Sequence, residues 1–336
     1  MPTQPPTLLT RTALAITGLL GPWSFMLLSL SYLPPTILRL LQAQQPLTTT
    51  LLSPARLQEL WFSEFWSRAA GPGVRGGAGD KVVPLLQGRT SGGAVVVEEE
   101  GGGKGKGKGI GGVVLEVGAG AGLWVDVYKA VGCRIQGVDD DDDYDDDDGD
   151  NEEEEEEGVR KRKTTGAAAA ATSGRITRIY GVEPSPGQHA HLARAIATAG
   201  MEAVYRVAPV GIEDLADGTK WDGRVEKGSV DCVVTILCLC SIPEPERCAR
   251  ELYGYLKKGG RWYVYEHVRC GHSWYMRAYQ RFVNLFWPFF LGGCQLTRPT
   301  EATIRAAGPW AEIDVGQPVA EPWFQVVPHV MGVFTK

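Results

Sequence analysis

The stretch VVLEVGAGAGLW holds the residue types most able to do chemistry: Glu116 stands two positions ahead of Gly118, with Gly120 and Gly122 following at alternate positions. An apolar strand that runs straight into such glycines can turn sharply and bring its backbone close to a ligand. A dinucleotide fingerprint would set its third glycine at 123, where this chain has Leu123. A carboxylate at the bend repels a pyrophosphate and attracts an ammonium or a sulfonium.

That charge preference points away from a nicotinamide dinucleotide and toward S-adenosylmethionine, which carries no phosphate. A nucleoside needs a second acid, at the end of the next strand, to accept hydrogen bonds from its ribose hydroxyls. Two segments offer one: CRIQGVD (133–139) ends on Asp139 and TRIYGVE (177–183) ends on Glu183. After Glu183 come PSPG, a helix-like QHAHLARAIATAG and an apolar AVYRV, the crossover that a parallel strand requires. After Asp139 come nine more aspartates within eleven residues, which no buried face could accommodate. Glu183 is therefore the expected ribose ligand. The following turn, VGIEDL, puts Ile212 and Glu213 where an adenine would lie, and the end of DCVVTILCLCSIPE, Leu239 to Ser241, should floor the site beneath the methyl group. Glu266 and His267, just past the fifth apolar strand, are the candidate proton acceptors; His267 titrates near neutrality but could equally serve to hold the loop.

The elements around these residues alternate between apolar strands (113–117, 179–182, 203–207, 231–239, 261–268) and helix-like segments (122–131, 187–199, 244–257, 300–307). Such alternation predicts an α/β fold, a doubly wound and mostly parallel sheet with helices on both faces, over 112–336. The acidic–basic tract 139–174 reads as a solvated, disordered insertion in that domain. Residues 71–111 are Gly-rich and low in pattern, and read as a linker. Ahead of them, 51–70 reads as an amphipathic helix, opened by Ser53 and Pro54 and presenting Leu57, Leu60, Trp61 and Phe65 on one face. Docking on the domain and lying at a membrane interface, with Trp61 and Trp66 at the boundary, are both open for it. Residues 1–50 read as a membrane anchor: 13–33 is an uncharged run of 21 residues, about 31 Å as a helix, interrupted by Gly21-Pro22. A kinked span, a hairpin and an interfacial helix all stay open, and so does a cleaved signal peptide, although no small-residue cleavage site follows closely.

The net charge of −6 is set by the tract: residues 139–157 hold ten Asp and six Glu, and 160–163 hold four bases, leaving 24 acids against 30 bases elsewhere. The remainder is mildly basic, which suits an anionic lipid surface. No basic stripe interleaved with aromatics is present, so no nucleic-acid partner is expected. Seven cysteines in no recognisable framework read as buried thiols in a reducing compartment. Cys238 and Cys240, placed on opposite faces of a continuing strand, argue against a metal site. In 274–294, Phe282, Leu285, Phe286, Phe289 and Phe290 are expected to form a lid whose apolar wall opens toward lipid and selects a small lipophilic acceptor.

Taken together, LEVGAG (115–120), YGVEPSP (180–186), GIEDLADG (211–218), GSVDCVVTILCLCSI (228–242), LKKGGRWYVYEHV (256–268), GCQLTR (293–298) and PHVMG (328–332) resemble class I S-adenosylmethionine-dependent methyltransferases, and most of all the membrane-associated thiol S-methyltransferases. The resemblance implies a Rossmann-like sheet of seven strands, the last antiparallel near 326–335. It implies that Glu116, Gly118, Gly120 and Gly122 contact the methionine half of the cofactor and Glu183 its ribose. It also implies an apolar anchor in the endoplasmic reticulum or lipid-droplet membrane, with the catalytic domain facing the cytosol. Gly211 stands where many such enzymes have Asp, which leaves the adenine to Ile212 and Glu213. The expected activity is methylation of a small lipophilic acceptor, most readily a thiol. An oxygen or nitrogen on a quinone, sterol or phospholipid headgroup, and a surface protein without turnover, are the alternatives.

Overall fold

A computed structural model describes residues 8–42, 53–96, 108–132, 175–319 and 321–336. Cys133, the segment ending at Asp139, and the tract 139–174 lie outside the described residues.

The chain runs α1 (Leu8–Ser31), α2 (Leu33–Gln42), α3 (Pro54–Phe65), a π turn (Trp66–Ala70), α4 (Gly71–Leu86), a small hairpin β1 (Thr90–Ser91) and β2 (Ala94–Val95), then β3 (Gly112–Val117), α5 (Val125–Gly132), β4 (Ile176–Val182), α6 (Pro186–Ala199) and β5 (Tyr205–Ala208). It continues through a 3₁₀ turn (Ile212–Asp214), β6 (Val230–Ile236), α7 (Pro245–Tyr255), β7 (Leu256–His267), α8 (Trp274–Val283), α9 (Trp287–Phe290), α10 (Thr300–Arg305), β8 (Glu312–Gly316) and β9 (His329–Thr335). Seven strands form one sheet in the order β5-β4-β3-β6-β7-β9-β8. The pairs from β5 to β7 are parallel, while β9 runs antiparallel to both β7 and β8. The order reverses between β3 and β4 on one side and β6 on the other, the point at which doubly wound sheets open a crevice at their carboxyl ends.

Both sheet faces are covered. Val82, Leu85, Tyr128, Leu192 and Ile196 fill one layer with the inward residues of β3 and β4. Leu252, Tyr255, Trp262, Ile304 and Phe334 fill the other. A third apolar cluster lies outside the sheet and joins Met26 and Phe65 from the N-terminal helices to Met276, Val283, Trp287 and Leu291.

The segment read as a Gly-rich linker is helical through Leu86. Its seven Gly and Pro residues between 71 and 84 disfavour a helix, but Pro72 falls in the first turn, where proline is tolerated, and Val82, Leu85 and Leu86 are fully buried. Burial of these three at about 1.5–3 kcal/mol each, with Ala78 and Pro84 also buried, offsets the propensity deficit. The 51–70 helix is docked on the domain: Gln58 Nε2 donates to the Pro288 and Phe289 carbonyls at 3.0 and 2.8 Å, and the buried Trp61 donates its indole N–H to the Ser29 carbonyl of α1 at 2.7 Å. The chain between Thr12 and Gln42 is long and apolar enough to cross a membrane. Its midsection is nevertheless tied to the α/β domain. Trp23 Nε1 donates to the Tyr279 hydroxyl at 2.8 Å, that hydroxyl donates to the Leu19 carbonyl at 2.7 Å, and Ser29 Oγ donates to the Phe290 carbonyl at 2.8 Å.

Candidate active site

β3 enters the glycine bend with its last four residues buried, and Gly118, Gly120 and Gly122 all take positive φ (68°, 55° and 81°). The three serve different ends. A Cβ on Gly118 would sit 2.5 Å from the Cβ of Cys238 on the neighbouring loop, and one on Gly122 would sit 2.6 Å from Ala195 of α6. A Cβ on Gly120 would meet nothing closer than the Trp66 indole nitrogen at 3.5 Å. Gly122 thus lets α6 approach, while Gly118 and Gly120 open onto a cleft.

Glu183 follows the end of β4 and is 7% exposed. Its Oε2 accepts from the Gly120 amide at 2.7 Å and its Oε1 from the Ser185 amide at 2.9 Å, which aims the carboxylate across the bend. Each oxygen retains a lone pair for a further donor. Burial raises its pKa, offset in part by those two amides.

The cleft has a volume of about 640 Å³, within the range of small-molecule sites. Gly118, Gly120, Glu183 and Ser185 line it together with His267, Cys240 and Cys294. Phe25, Phe62 and Trp66 from the N-terminal helices, with Trp287 and Leu291, supply apolar walls. Two buried lining atoms have no hydrogen-bond partner among the described residues: Gln188 Oε1, an acceptor, and Trp287 Nε1, a donor. An amino or hydroxyl group of a nucleoside amino acid suits the first. The glycine cradle, the aimed carboxylate and this orphaned acceptor fit S-adenosylmethionine.

Several expected site residues lie elsewhere. Glu116, 3% exposed, does not line the cleft. Strand alternation turns its side chain toward α5 and β5, where the Tyr205 hydroxyl donates to it. Its cross-strand partner is Gly181, and a Cβ there would collide with the Tyr205 ring; the missing side chain is what lets that hydroxyl through. Ile212 is buried in the core and Glu213 is exposed, both outside the cleft. Leu239 is packed into the lower core. Glu266, fully buried, does not face the cleft either: it accepts from the Cys238 and Leu239 amides at 3.2 Å and so fixes the loop after β6. The wall expected from 274–294 is also displaced. Phe282, Leu285, Phe286 and Phe289 point outward, and within the segment only Trp287, Leu291, Gly292 and Cys294 reach the cleft. The N-terminal aromatics that take that place carry no signal in the sequence beyond their helical spacing.

β6 stops at Ile236, three residues short of the strand expected to 239, because Leu237 takes a φ of 54°. Cys238 and Cys240 therefore sit in a turn, and Cys240 joins His267 and Cys294 at the cleft floor. The hydrogen bond with Cys294 and burial push the Cys240 thiol well up.

Burial pushes Glu116 up to about 7 against the opposing effect of the Tyr205 and Tyr128 hydroxyls. The folded value lies above the unfolded one of 4.5, so the stabilisation is complete below about 4.5 and is lost as pH rises through about 7. Glu116→Gln keeps an acceptor for Tyr205 and removes the charge. Thermal denaturation between pH 5 and 8 should show wild type losing stability with rising pH and the variant losing less, by about 1–3 kcal/mol. Glu266, also raised to about 7 by burial, and Glu183, raised in the same direction, contribute to the slope that remains. An unchanged slope in the variant would show that Glu116 is ionised in the fold.

A sheet of this order, with a glycine bend after β3 and one buried acid after β4, defines an α/β domain that holds a nucleoside. Residues 106–299 match the methyltransferase domain family, and the chain belongs to it; S-adenosylmethionine is the cofactor. Among curated proteins the chain is similar to thiol S-methyltransferase TMT1A of Homo sapiens, 29% identical over 161 residues, 47% of this chain and 62% of that protein. It is also similar to thiol S-methyltransferase TMT1B of Rattus norvegicus, 35% identical over 114 residues, 34% of this chain and 46% of that protein. The matches thus span about half to three-fifths of those relatives. A solved structure of geranyl diphosphate methyltransferase in complex with SAM aligns over 67% of this chain and 78% of its own at 12% identity, with a TM-score of 0.40. The [4+2]-cyclase SpnF aligns over 77% and 82% at 15% identity, with a TM-score of 0.42.

Proposed function

We propose that this protein methylates a small lipophilic thiol at the surface of a membrane. The observation that carries the reading is one cleft lined both by the glycine bend with Glu183 and by His267 with an apolar wall. Bound at the bend, S-adenosylmethionine supplies a methyl group on a sulfonium, a good leaving group. Gly118 and Gly120 admit the amino-acid half, Glu183 takes the ribose hydroxyls, and Phe62, Trp66, Trp287 and Leu291 exclude water and orient an apolar acceptor. Such positioning contributes about 7–11 kcal/mol. Removing the proton from a thiol of pKa about 8.5 at neutral pH costs about 2 kcal/mol, against about 4 for a phenol of pKa about 10. His267 lines the cleft floor, where the thiolate must be stabilised. Glu266 is a positioning residue for the loop that holds Cys240. The names of the curated relatives support a thiol as acceptor.

A methyl-transfer screen of the full chain against alkane thiols, phenols and amines tests the acceptor. Thiols are expected to be methylated at least about tenfold faster than the others; a phenol or amine turned over in their place would refute the reading.

The membrane reading rests on one continuous apolar surface. Leu14, Ile16, Leu20 and Leu27 are exposed on α1. Phe282 and Phe286, packed beside Trp23 at 5.7 and 5.6 Å, carry the surface onto the catalytic domain, where Leu285 is 74% and Trp274 75% exposed. Apolar area of that extent marks an interaction surface. The free cysteines suit a reducing side, and the resemblance suggests the cytosolic face of the endoplasmic reticulum or a lipid droplet. At about 1.5–3 kcal/mol per buried side chain, Phe282→Ser with Leu285→Ser and Phe289→Ser should cut liposome binding by more than about tenfold. Undiminished flotation would remove this surface from the account.

A further inference from the structure

We propose that Cys240, His267 and Cys294 hold a zinc-class ion at the cleft floor, with its fourth coordination position turned to the cleft, where the acceptor thiol binds as a thiolate. The inference rests on the thiol reading above.

The three residues come from separate parts of the chain: the turn after β6, the last residue of β7, and the loop after α9. Their ligand atoms nevertheless lie within 4.8 Å of one another. Cys294 Sγ stands 3.6 Å from His267 Nδ1. In a tetrahedral zinc site, Zn–S near 2.3 Å and Zn–N near 2.0–2.1 Å place sulfur and nitrogen about 3.6 Å apart. Two sulfurs and one imidazole are the donor set that soft and borderline divalent ions favour over magnesium or calcium. Three protein ligands with an open fourth position is the arrangement of catalytic rather than structural zinc.

The surroundings hold the ligands in place. The Gln295 amide donates to the Cys240 carbonyl at 2.9 Å, pinning the two thiol-bearing loops together. Thr300 Oγ1 donates to the His267 carbonyl at 2.9 Å, and Glu266 anchors the turn that presents Cys240. Arg298 Nη1 reaches the carbonyls of Leu239 and Ile242 at 2.5 and 2.6 Å, bracing the same turn from the Cys294 side. All three ligands line the cleft, so an open position faces the acceptor end.

The chemistry balances without a further reactant. The acceptor S–H bond breaks, its proton leaves through the cleft mouth to solvent, and the electron pair left on sulfur forms the bond to the ion. A coordinating thiol is deprotonated outright. His267 then acts as a ligand rather than as the proton acceptor. A methylated thioether carries no negative charge and is a weaker ligand, which favours its release.

The full chain in detergent, reduced and stripped with a chelator, is titrated with cobalt(II). The expected result is one equivalent bound, with an intense thiolate-to-cobalt charge-transfer band and the visible bands of a tetrahedral ion, and a spectral shift when butanethiol is added. Cys240→Ser and Cys294→Ser should each weaken cobalt binding by more than about a hundredfold, beyond the 10–100-fold effect of an outer-shell partner. An unchanged far-ultraviolet circular-dichroism spectrum and a cooperative thermal transition show that each variant is folded. Cys248→Ser, remote in the α7 layer, should leave the spectrum as it is. No thiolate band in the wild-type protein while S-adenosylmethionine binds normally would overturn the proposal, as would a band that survives both cysteine substitutions. The two readings fail separately. A metal-stripped protein that methylates thiols at the loaded rate overturns the role of the ion and keeps the acceptor. A cobalt band shifted by butanethiol, in a protein that methylates no thiol, upholds the site and rejects the acceptor.

Discussion

Glu183→Ala is expected to raise the dissociation constant for S-adenosylmethionine by at least about a hundredfold. A charge-assisted hydrogen bond contributes about 1.5–3 kcal/mol, and in the proposed complex two ribose hydroxyls share this carboxylate. The loss is therefore about 3–6 kcal/mol, or two to four powers of ten. The substitution also frees the Gly120 amide, now held at 2.7 Å, so the bend itself loses its tie to β4. Glu183→Gln keeps one acceptor and loses the charge, and should fall between wild type and alanine. Calorimetry on the three proteins measures the series. Equal affinities would show that the carboxylate only props the bend.

Gly118→Ala should be the most damaging single-methyl change in the bend. It forces a φ of 68° on a residue with a Cβ and drives that atom to 2.5 Å from the Cβ of Cys238. The left-handed backbone costs about 1–2 kcal/mol and the overpacking about 1–3 kcal/mol. At about 2–4 °C per kcal/mol for a domain of this size, the melting temperature should drop by about 4–20 °C. Cys238 begins the turn that carries Cys240, so cofactor binding should weaken along with stability. Gly120→Ala meets only the backbone term, since its nearest neighbour is 3.5 Å away, and should lose less. Gly122→Ala, pressed on Ala195 away from the cleft, should cost stability with little direct effect on the cofactor. A Gly118→Ala protein as stable as wild type would show that the β3 and β6 loops are not locked together.

What could be read from the chain before its structure follows from how local each signal is. The strands and crossover helices carry period-2 and period-3.6 patterns over short windows, so the doubly wound sheet and the pairing of the glycine bend with Glu183 were legible. Glu183 could be chosen over Asp139 because a crossover helix must follow it, which is a constraint of chain topology. Side-chain direction at the ends of strands was less legible. Glu116 sits two residues from the bend, yet alternation turns it onto Tyr205, and only the three-dimensional gap at Gly181 shows why. Leu237 ends β6 early by taking positive φ, a conformation that no leucine announces, and this alone brings Cys240 round to His267. The helix over Gly71–Leu86 was hidden by its glycines, because tertiary burial at Val82, Leu85 and Leu86 decides it.

The contact between Glu183 and the ribose is tested most directly by pairing a change in the protein with a change in the ligand. Affinities are measured for wild type and Glu183→Ala, each with S-adenosylmethionine and with its 3′-deoxy analogue. Wild type should lose about tenfold or more on removal of the hydroxyl, and the variant almost nothing, since the partner is already gone. An equal loss in both proteins would mean that the hydroxyl and the carboxylate never meet.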